Sequence, residues 1–91
     1  MAKKKDSLAV EQKRMRLLIA SRIKDAMKMR ELYYPSALAN KMGRDRALIH
    51  LWLRGNSNLT INTLVEISRA LNVEPCYLVR RFWIMSKYRF N

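Results

Sequence analysis

Cysteine and histidine are almost absent from this chain, which holds one of each, Cys76 and His50. A single cysteine cannot form a disulfide within the chain, so the sequence fits a reducing compartment such as the cytoplasm. One thiol and one imidazole also cannot complete the four-ligand shell of a typical zinc site. The sequence contains neither a carboxylate pair nor a glycine-rich phosphate loop. We therefore expect no enzyme activity, no metal and no cofactor.

Long apolar runs are missing as well. The longest are four residues, at 17–20 and 82–85, whereas a membrane-spanning helix needs about 20. The basic start of the chain is similar to that of an export signal, but Glu11, Lys13 and Arg14 interrupt the apolar stretch that must follow it. The sequence thus predicts neither a membrane segment nor export.

Acidic side chains are scarce: the 91 residues hold 7 Asp and Glu against 19 Lys and Arg, a formal net charge of +12. A charge of this size points to a polyanionic partner, either nucleic acid or an anionic membrane surface. The hydrophobic share of 49% is enough for a packed core, and the length allows one domain.

The positive charge is concentrated in two flanks. Residues 1–30 carry ten basic and three acidic side chains, residues 77–91 carry four basic ones and no acid, and residues 31–76 are nearly neutral. Basic flanks commonly follow the phosphate backbone without reading base sequence. Residues 1–16 are therefore predicted to form a phosphate-binding arm or a helix extension. The alternative for the three lysines at 3–5 is that they only keep the chain soluble. The arm contacts are Lys3, Lys4 and Lys5.

Helical periodicity dominates the rest of the sequence. Because neither glycine nor proline occurs before Pro35, residues 8–31 are predicted to be helical, either continuously or with a break near 13–16. Pro35 suits the start of a second helix, over residues 36–42, and Gly43 suits its left-handed end.

Two further helices have predicted N-caps, Asp45 and Thr60. The third helix spans residues 46–54, and the fourth ends near residue 72. Pro75 then starts either a short fifth helix or an extended tail, because residues 77–90 are rich in aromatic side chains that also favour strands. The predicted fold is an all-α compact bundle of four to five short helices, with a C-terminal tail whose structure the pattern leaves open.

The second and third helices, joined by residues 43–45, have the dimensions of a helix-turn-helix. The matching residues are Arg22, Ile23, Lys24, residues 37–43, Ile49, Trp52, Arg54, Gly55, residues 58–60 and residues 63–73. With them, residues 19–73 closely resemble the phage-repressor/Cro type of DNA-binding domain (XRE-like, lambda-repressor-like). The variant is the one common among small bacterial regulators and antitoxins. Residues 17–76 are assigned to this domain.

The resemblance implies that the third helix enters the major groove of double-stranded DNA, with its N-terminal half against the base edges. Arg46 is the strongest candidate, because a guanidinium can bond O6 and N7 of guanine together. Leu51 suits either contact with a thymine methyl group or packing at a partner surface. His50 suits either contact with a base or phosphate, or a position in solvent or at the edge of the core. The implied base contacts are Asp45, Arg46, Ala47, His50 and Leu51. The implied phosphate contacts, which also fit plain capping and turn chemistry, are Ser36, Arg44, Arg54, Asn56, Ser57 and Asn58.

Three features of the sequence depart from the family's pattern. Pro35 stands where the family usually has a glutamine that touches phosphate. Met27 and Leu53 stand where it often has a buried ion pair, and a joint change to apolar residues is often neutral or stabilising. Residues 47–53 are more apolar than a usual recognition helix, which favours limited base readout.

The tail, residues 77–91, places nine large apolar or aromatic side chains in fifteen positions. The core formed by residues 17–76 can cover only some of these nine side chains, so the tail is predicted to be a dimerisation element. The alternative is a fifth helix folded back over the first and fourth. The dimer contacts are Phe82, Trp83, Ile84 and Met85.

These observations lead to the expectation of a sequence-specific transcriptional regulator. It acts as a homodimeric repressor in the cytoplasm, associated with the nucleoid, and its operator is pseudo-palindromic. The alternative is an antitoxin that controls its own operon and binds a toxin protein. A protein that binds RNA or a membrane surface is disfavoured, because the centre lacks surface-aromatic RNA motifs.

Overall fold

Five α-helices make up most of the chain in the computed structural model, which describes the backbone of residues 2–80 and the side chains of residues 7–80. They are α1 (Ala2–Met29), α2 (Pro35–Met42), α3 (Arg46–Leu53), α4 (Ile61–Leu71) and α5 (Pro75–Val79). Within these limits no residue belongs to a β-strand. The predicted all-α bundle is confirmed.

The ends of α2 and α3 lie where local chemistry predicts them. Pro35 opens α2, and Gly43 closes it with a φ of 68° in the left-handed region. The Asp45 side chain caps α3 by accepting a hydrogen bond from the backbone N–H of Ala47. The helix ends at Leu53, one residue earlier than predicted, because Arg54 is its C-cap.

The boundaries of α4 also follow the prediction. Thr60 Oγ1 accepts from the backbone N–H of Thr63 at 3.1 Å, and Asn72 ends the helix with a φ of 56°. A residue directly after α1 completes this end: the Arg30 guanidinium donates to the carbonyl oxygens of Leu71 (2.7 Å) and Asn72 (2.8 Å). A cation at a helix C-terminus is favourable because the last carbonyls and the helix dipole are negative there.

The core lies against α1, which packs on α3, α4 and α5, while α2 packs on α3 and α4. Each helix contributes its apolar face to this single cluster. Its buried residues are Ile19, Ile23, Ala26, Met27, Leu38, Ala39, Ile49, Trp52, Ile67, Leu71 and Leu78.

The short helix α5 belongs to this core. Leu78 is fully buried, and Tyr77 and Val79 pack against the same cluster. The boundary drawn at residue 76 therefore cuts through α5, and the folded unit continues to residue 79. For residues 75–79 the alternative of a helix folded over α1 and α4 is confirmed, so the buried Leu78 is not available to a dimer partner.

The first helix is continuous through residues 13–16 and is 28 residues long. All side chains from residue 7 to residue 15 are exposed, and burial begins at Arg16. At 1.5 Å per residue, the first 14 residues extend about 21 Å. Residues 2–16 are thus the helix extension, one of the two forms predicted for them.

The turn after α3 touches α1 at Gly55, where Arg16 Nε donates to the Gly55 carbonyl at 3.2 Å. Gly55 has a φ of +74°, and a Cβ there would lie 2.8 Å from Leu17 Cδ2 and 3.3 Å from Leu17 Cα. We expect Gly55→Ala to lower the free energy of unfolding by about 1–3 kcal/mol, because the new methyl group adds crowding to an unfavourable backbone conformation. Urea unfolding followed by circular dichroism measures the loss.

Gly43→Ala is the matched control. Gly43 has a similar φ, +68°, but nothing lies within 4 Å of a Cβ built on it. We expect a loss of only about 1 kcal/mol, the cost of the left-handed conformation alone. Equal losses in the two variants would show that α1 makes no tight contact at Gly55.

Candidate nucleic-acid interface

An open groove of about 800 Å³ lies between the start of α2 and the start of α3. The three-residue turn places the two helix starts side by side on one surface. The lining residues are Tyr34, Pro35, Ser36, Ala39, Asn40, Arg44, Asp45, Arg46, Ala47 and His50.

The third helix presents two different faces. Ile49 is fully buried and Trp52 is 4% exposed, so these side chains hold α3 against the bundle. Arg46 and His50, one turn apart, lie on the exposed face. The result is a helix held to the bundle by one face, with Arg46 and His50 on its exposed face.

All five implied base-contact residues are exposed. Four of them meet in the groove, namely Asp45, Arg46, Ala47 and His50. Leu51 is 43% exposed but does not line it. The neighbouring Leu48 is partly buried against the core, which fits the packing role weighed for this apolar helix.

The implied phosphate-contact residues divide between two places. Ser36 and Arg44 line the groove. The loop after α3 carries the others; of these, Ser57 and Asn58 line a second groove of about 470 Å³ whose opposite wall is α1. The side chains facing them from α1 are Gln12, Met15, Arg16 and Ile19.

The start of α2 has no side-chain cap. Tyr34 occupies the N-cap position without a side-chain hydrogen bond, and its side chain is 70% exposed. Tyr34 also lines the groove, beside Pro35 and Ser36. Sequence reasoning missed this tyrosine; the available signal was a bulky aromatic residue directly before the proline that opens the helix.

Arg44 is paired with Glu66 on α4. Arg44 Nε donates to Glu66 Oε2 at 2.9 Å, and Arg44 Nη2 donates to Oε1 at 2.5 Å. These hydrogen bonds, together with the attraction of the opposite charges, lower the pKa of Glu66 and raise the pKa of Arg44. Both groups therefore stay charged at neutral pH. The pair was not predicted, because 22 positions separate the two residues.

The two departures in the bundle interior fit together. Met27 is buried, Leu53 packs partly buried against the same core, and both line one small cavity beside α2. Both apolar residues thus belong to one hydrophobic cluster.

The remaining site residues fall outside the described side chains. Lys3, Lys4 and Lys5 lie in the first turns of α1, of which only the backbone is described. The proposed dimer contacts, Phe82, Trp83, Ile84 and Met85, lie beyond residue 80, outside the described residues.

No family model, curated protein or solved structure matches this chain. Among the described residues, no helix combines the length and the hydropathy that crossing a bilayer requires. The same residues contain no group of three or more His, Cys, Asp or Glu placed to hold a metal ion.

Proposed function

We propose that the protein is a DNA-binding transcriptional regulator that places the N-terminal half of α3 in the major groove. The observation that carries the proposal is that one short helix has exposed Arg46 and His50 on one face and buried Ile49 and Trp52 on the other. A B-DNA major groove admits a single α-helix, and a helix fixed by its buried face presents its other face to the base edges in one orientation.

The start of α2 supplies the second element of the proposal. Pro35 has no N–H and the Ala37 N–H donates to the Tyr34 carbonyl at 2.9 Å, so the Ser36 N–H is the backbone donor that this end offers. A helix N-terminus carries a partial positive charge and binds phosphate groups well. Tyr34 leaves this end without a side-chain cap, and Ser36 adds a short hydroxyl beside it. A phosphate at this end would fix the angle at which α3 enters the groove.

The extension of α1 supplies sequence-independent affinity. Lys13 and Arg14 are exposed on it, and Lys3, Lys4 and Lys5 follow near its tip. A basic helix about 21 Å long beyond the bundle spans roughly six base pairs of B-DNA, at 3.4 Å per pair. These cations raise the affinity for any duplex equally.

The homodimer belongs to the same proposal. The exposed face of α3 offers few hydrogen-bonding side chains, so one copy can discriminate only a few base pairs. Two copies related by a two-fold axis double the number of bases read, with their recognition helices about 34 Å apart. A regulator of this kind represses by occupying a pseudo-palindromic site.

Selection from a random duplex library tests the function. We expect enrichment of two inverted half-sites whose centres lie about 10 base pairs apart, bound at least about 1000-fold more tightly than scrambled duplex at the same salt concentration. An RNA hairpin and vesicles containing phosphatidylserine serve as competing polyanions. Absence of any enriched duplex, or stronger binding to either competitor, contradicts the proposal.

A further inference from the structure

The Arg44–Glu66 pair lies at the edge of the groove that would receive DNA. Arg44 lines this groove together with Ser36 and Arg46. Glu66 on α4 does not line the groove but accepts both hydrogen bonds from the Arg44 guanidinium. The two side chains are 42% and 37% exposed. A phosphate group in the groove can therefore reach the cation that the carboxylate now holds.

The geometry of the pair is the geometry of a phosphate contact. Two parallel hydrogen bonds join one edge of the guanidinium to both carboxylate oxygens. An arginine binds a phosphate group through the same bidentate edge, because two phosphate oxygens are spaced much like the two oxygens of a carboxylate. Glu66 and a DNA phosphate thus compete for one set of donors.

The Arg44–Glu66 pair contributes little to folding stability. Exposed ion pairs contribute little to the free energy of unfolding, because water and salt screen them. α4 is already capped by Thr60, ended by Asn72 and fixed by buried Ile67 and Leu71. The main effect of Glu66 is therefore electrostatic: it neutralises one cation at the groove.

We infer that Glu66 acts as an internal substitute for a DNA phosphate, and that it limits the affinity for DNA of arbitrary sequence by occupying Arg44. The inference rests on the proposed DNA-binding function. In a chain with a net charge of +12, non-specific attraction to nucleic acid is strong, and it reduces the share of protein at a specific site. A carboxylate that must be displaced before Arg44 binds phosphate lowers this background, whereas a well-fitted site still outcompetes it.

The experiment compares Glu66→Gln with wild type in the full chain, using fluorescence anisotropy with a scrambled 20-base-pair duplex at several salt concentrations. We expect Glu66→Gln to bind the scrambled duplex roughly three- to tenfold more tightly and to steepen the slope of log K against log salt by about 0.9, the value of one added phosphate contact.

Glu74→Gln is the matched control, because it removes the same charge from the exposed N-cap of α5, where the carboxylate makes no side-chain cap hydrogen bond. We expect less than a twofold change from it. We expect the double variant Arg44→Gln/Glu66→Gln to lose the increase in affinity for the scrambled duplex, since that increase depends on Arg44. Circular dichroism verifies that every variant is folded.

Each result decides the inference. Equal effects of Glu66→Gln and Glu74→Gln, or a gain that survives the loss of Arg44, overturn it while leaving the DNA-binding function in place. If neither wild type nor Glu66→Gln binds duplex DNA, the proposed function fails and the inference fails with it.

Discussion

Arg46→Ala is expected to weaken binding to the selected DNA site by about 5- to 150-fold, because a two-pronged guanine contact carries roughly 1–3 kcal/mol of discrimination. Binding to scrambled duplex should fall only a few-fold. Arg46 is the first residue of α3, is exposed and lines the groove between the two helix starts. Its removal leaves the buried side of α3 unchanged, so the fold should be retained. Anisotropy titrations with both duplexes at one salt concentration give the two ratios.

Arg54→Ala is the control for Arg46→Ala. Arg54 is an exposed arginine at the other end of the same helix, where it forms the C-cap. We expect it to contact phosphate, so that its removal weakens binding to both duplexes by a similar factor. Equal losses for Arg46→Ala on both duplexes would reduce Arg46 to a phosphate contact, and base readout would then have to come from another part of α3.

Both ends of α2 and the starts of α3 and α4 were predictable from local sequence because each of these boundaries has a local cause. Pro35 and Gly43 delimit α2, and Asp45 and Thr60 cap the next two helices. These signals act over one or two turns and do not depend on the partner helices.

Contacts between distant parts of the chain were not predictable in the same way. Arg30 caps α4 across 41 positions, and Arg16 binds the turn at Gly55 across 39. Helical periodicity places Arg30 in line with the apolar face of α1, but it identifies no partner for Arg30 or for Arg16. The burial of Leu78 was not predictable either, because it depends on α5 packing against α1 and α4. The local sequence does not settle it, since a tail rich in aromatic residues is also compatible with a strand.

The apolar character of α3 has two causes that the structure separates. Ile49 and Trp52 face the core, and Leu48 and Leu53 pack partly against it. Leu51 alone among the large apolar residues of this helix is substantially exposed. The low polarity of residues 47–53 therefore reflects mostly packing on a small bundle, and Arg46 and His50 on the exposed face remain available for contact with a partner.

Two adjacent residues on α3 separate its packing from its proposed contact with DNA. Trp52 is 4% exposed, whereas Leu51 is 43% exposed. Leu51→Ala should lower the free energy of unfolding by less than about 1 kcal/mol, because little apolar area leaves the core. It should weaken binding where the site presents a thymine methyl group, and replacing that thymine by uracil should abolish the difference between the variant and wild type.

Trp52→Ala is expected to lower the free energy of unfolding by about 3–5 kcal/mol, since deleting a buried indole removes apolar contacts and leaves a cavity between α3 and α1. Ile19 and Met15 of α1 line the groove beside this indole, and neither can fill the space without moving the helix. A loss of this size is a large share of the stability of a single small domain. Urea unfolding followed by circular dichroism measures it without relying on tryptophan fluorescence. If Trp52→Ala is as stable as Leu51→Ala, the indole does not hold α3 on the bundle. The orientation of Arg46 and His50 toward DNA then loses its structural basis.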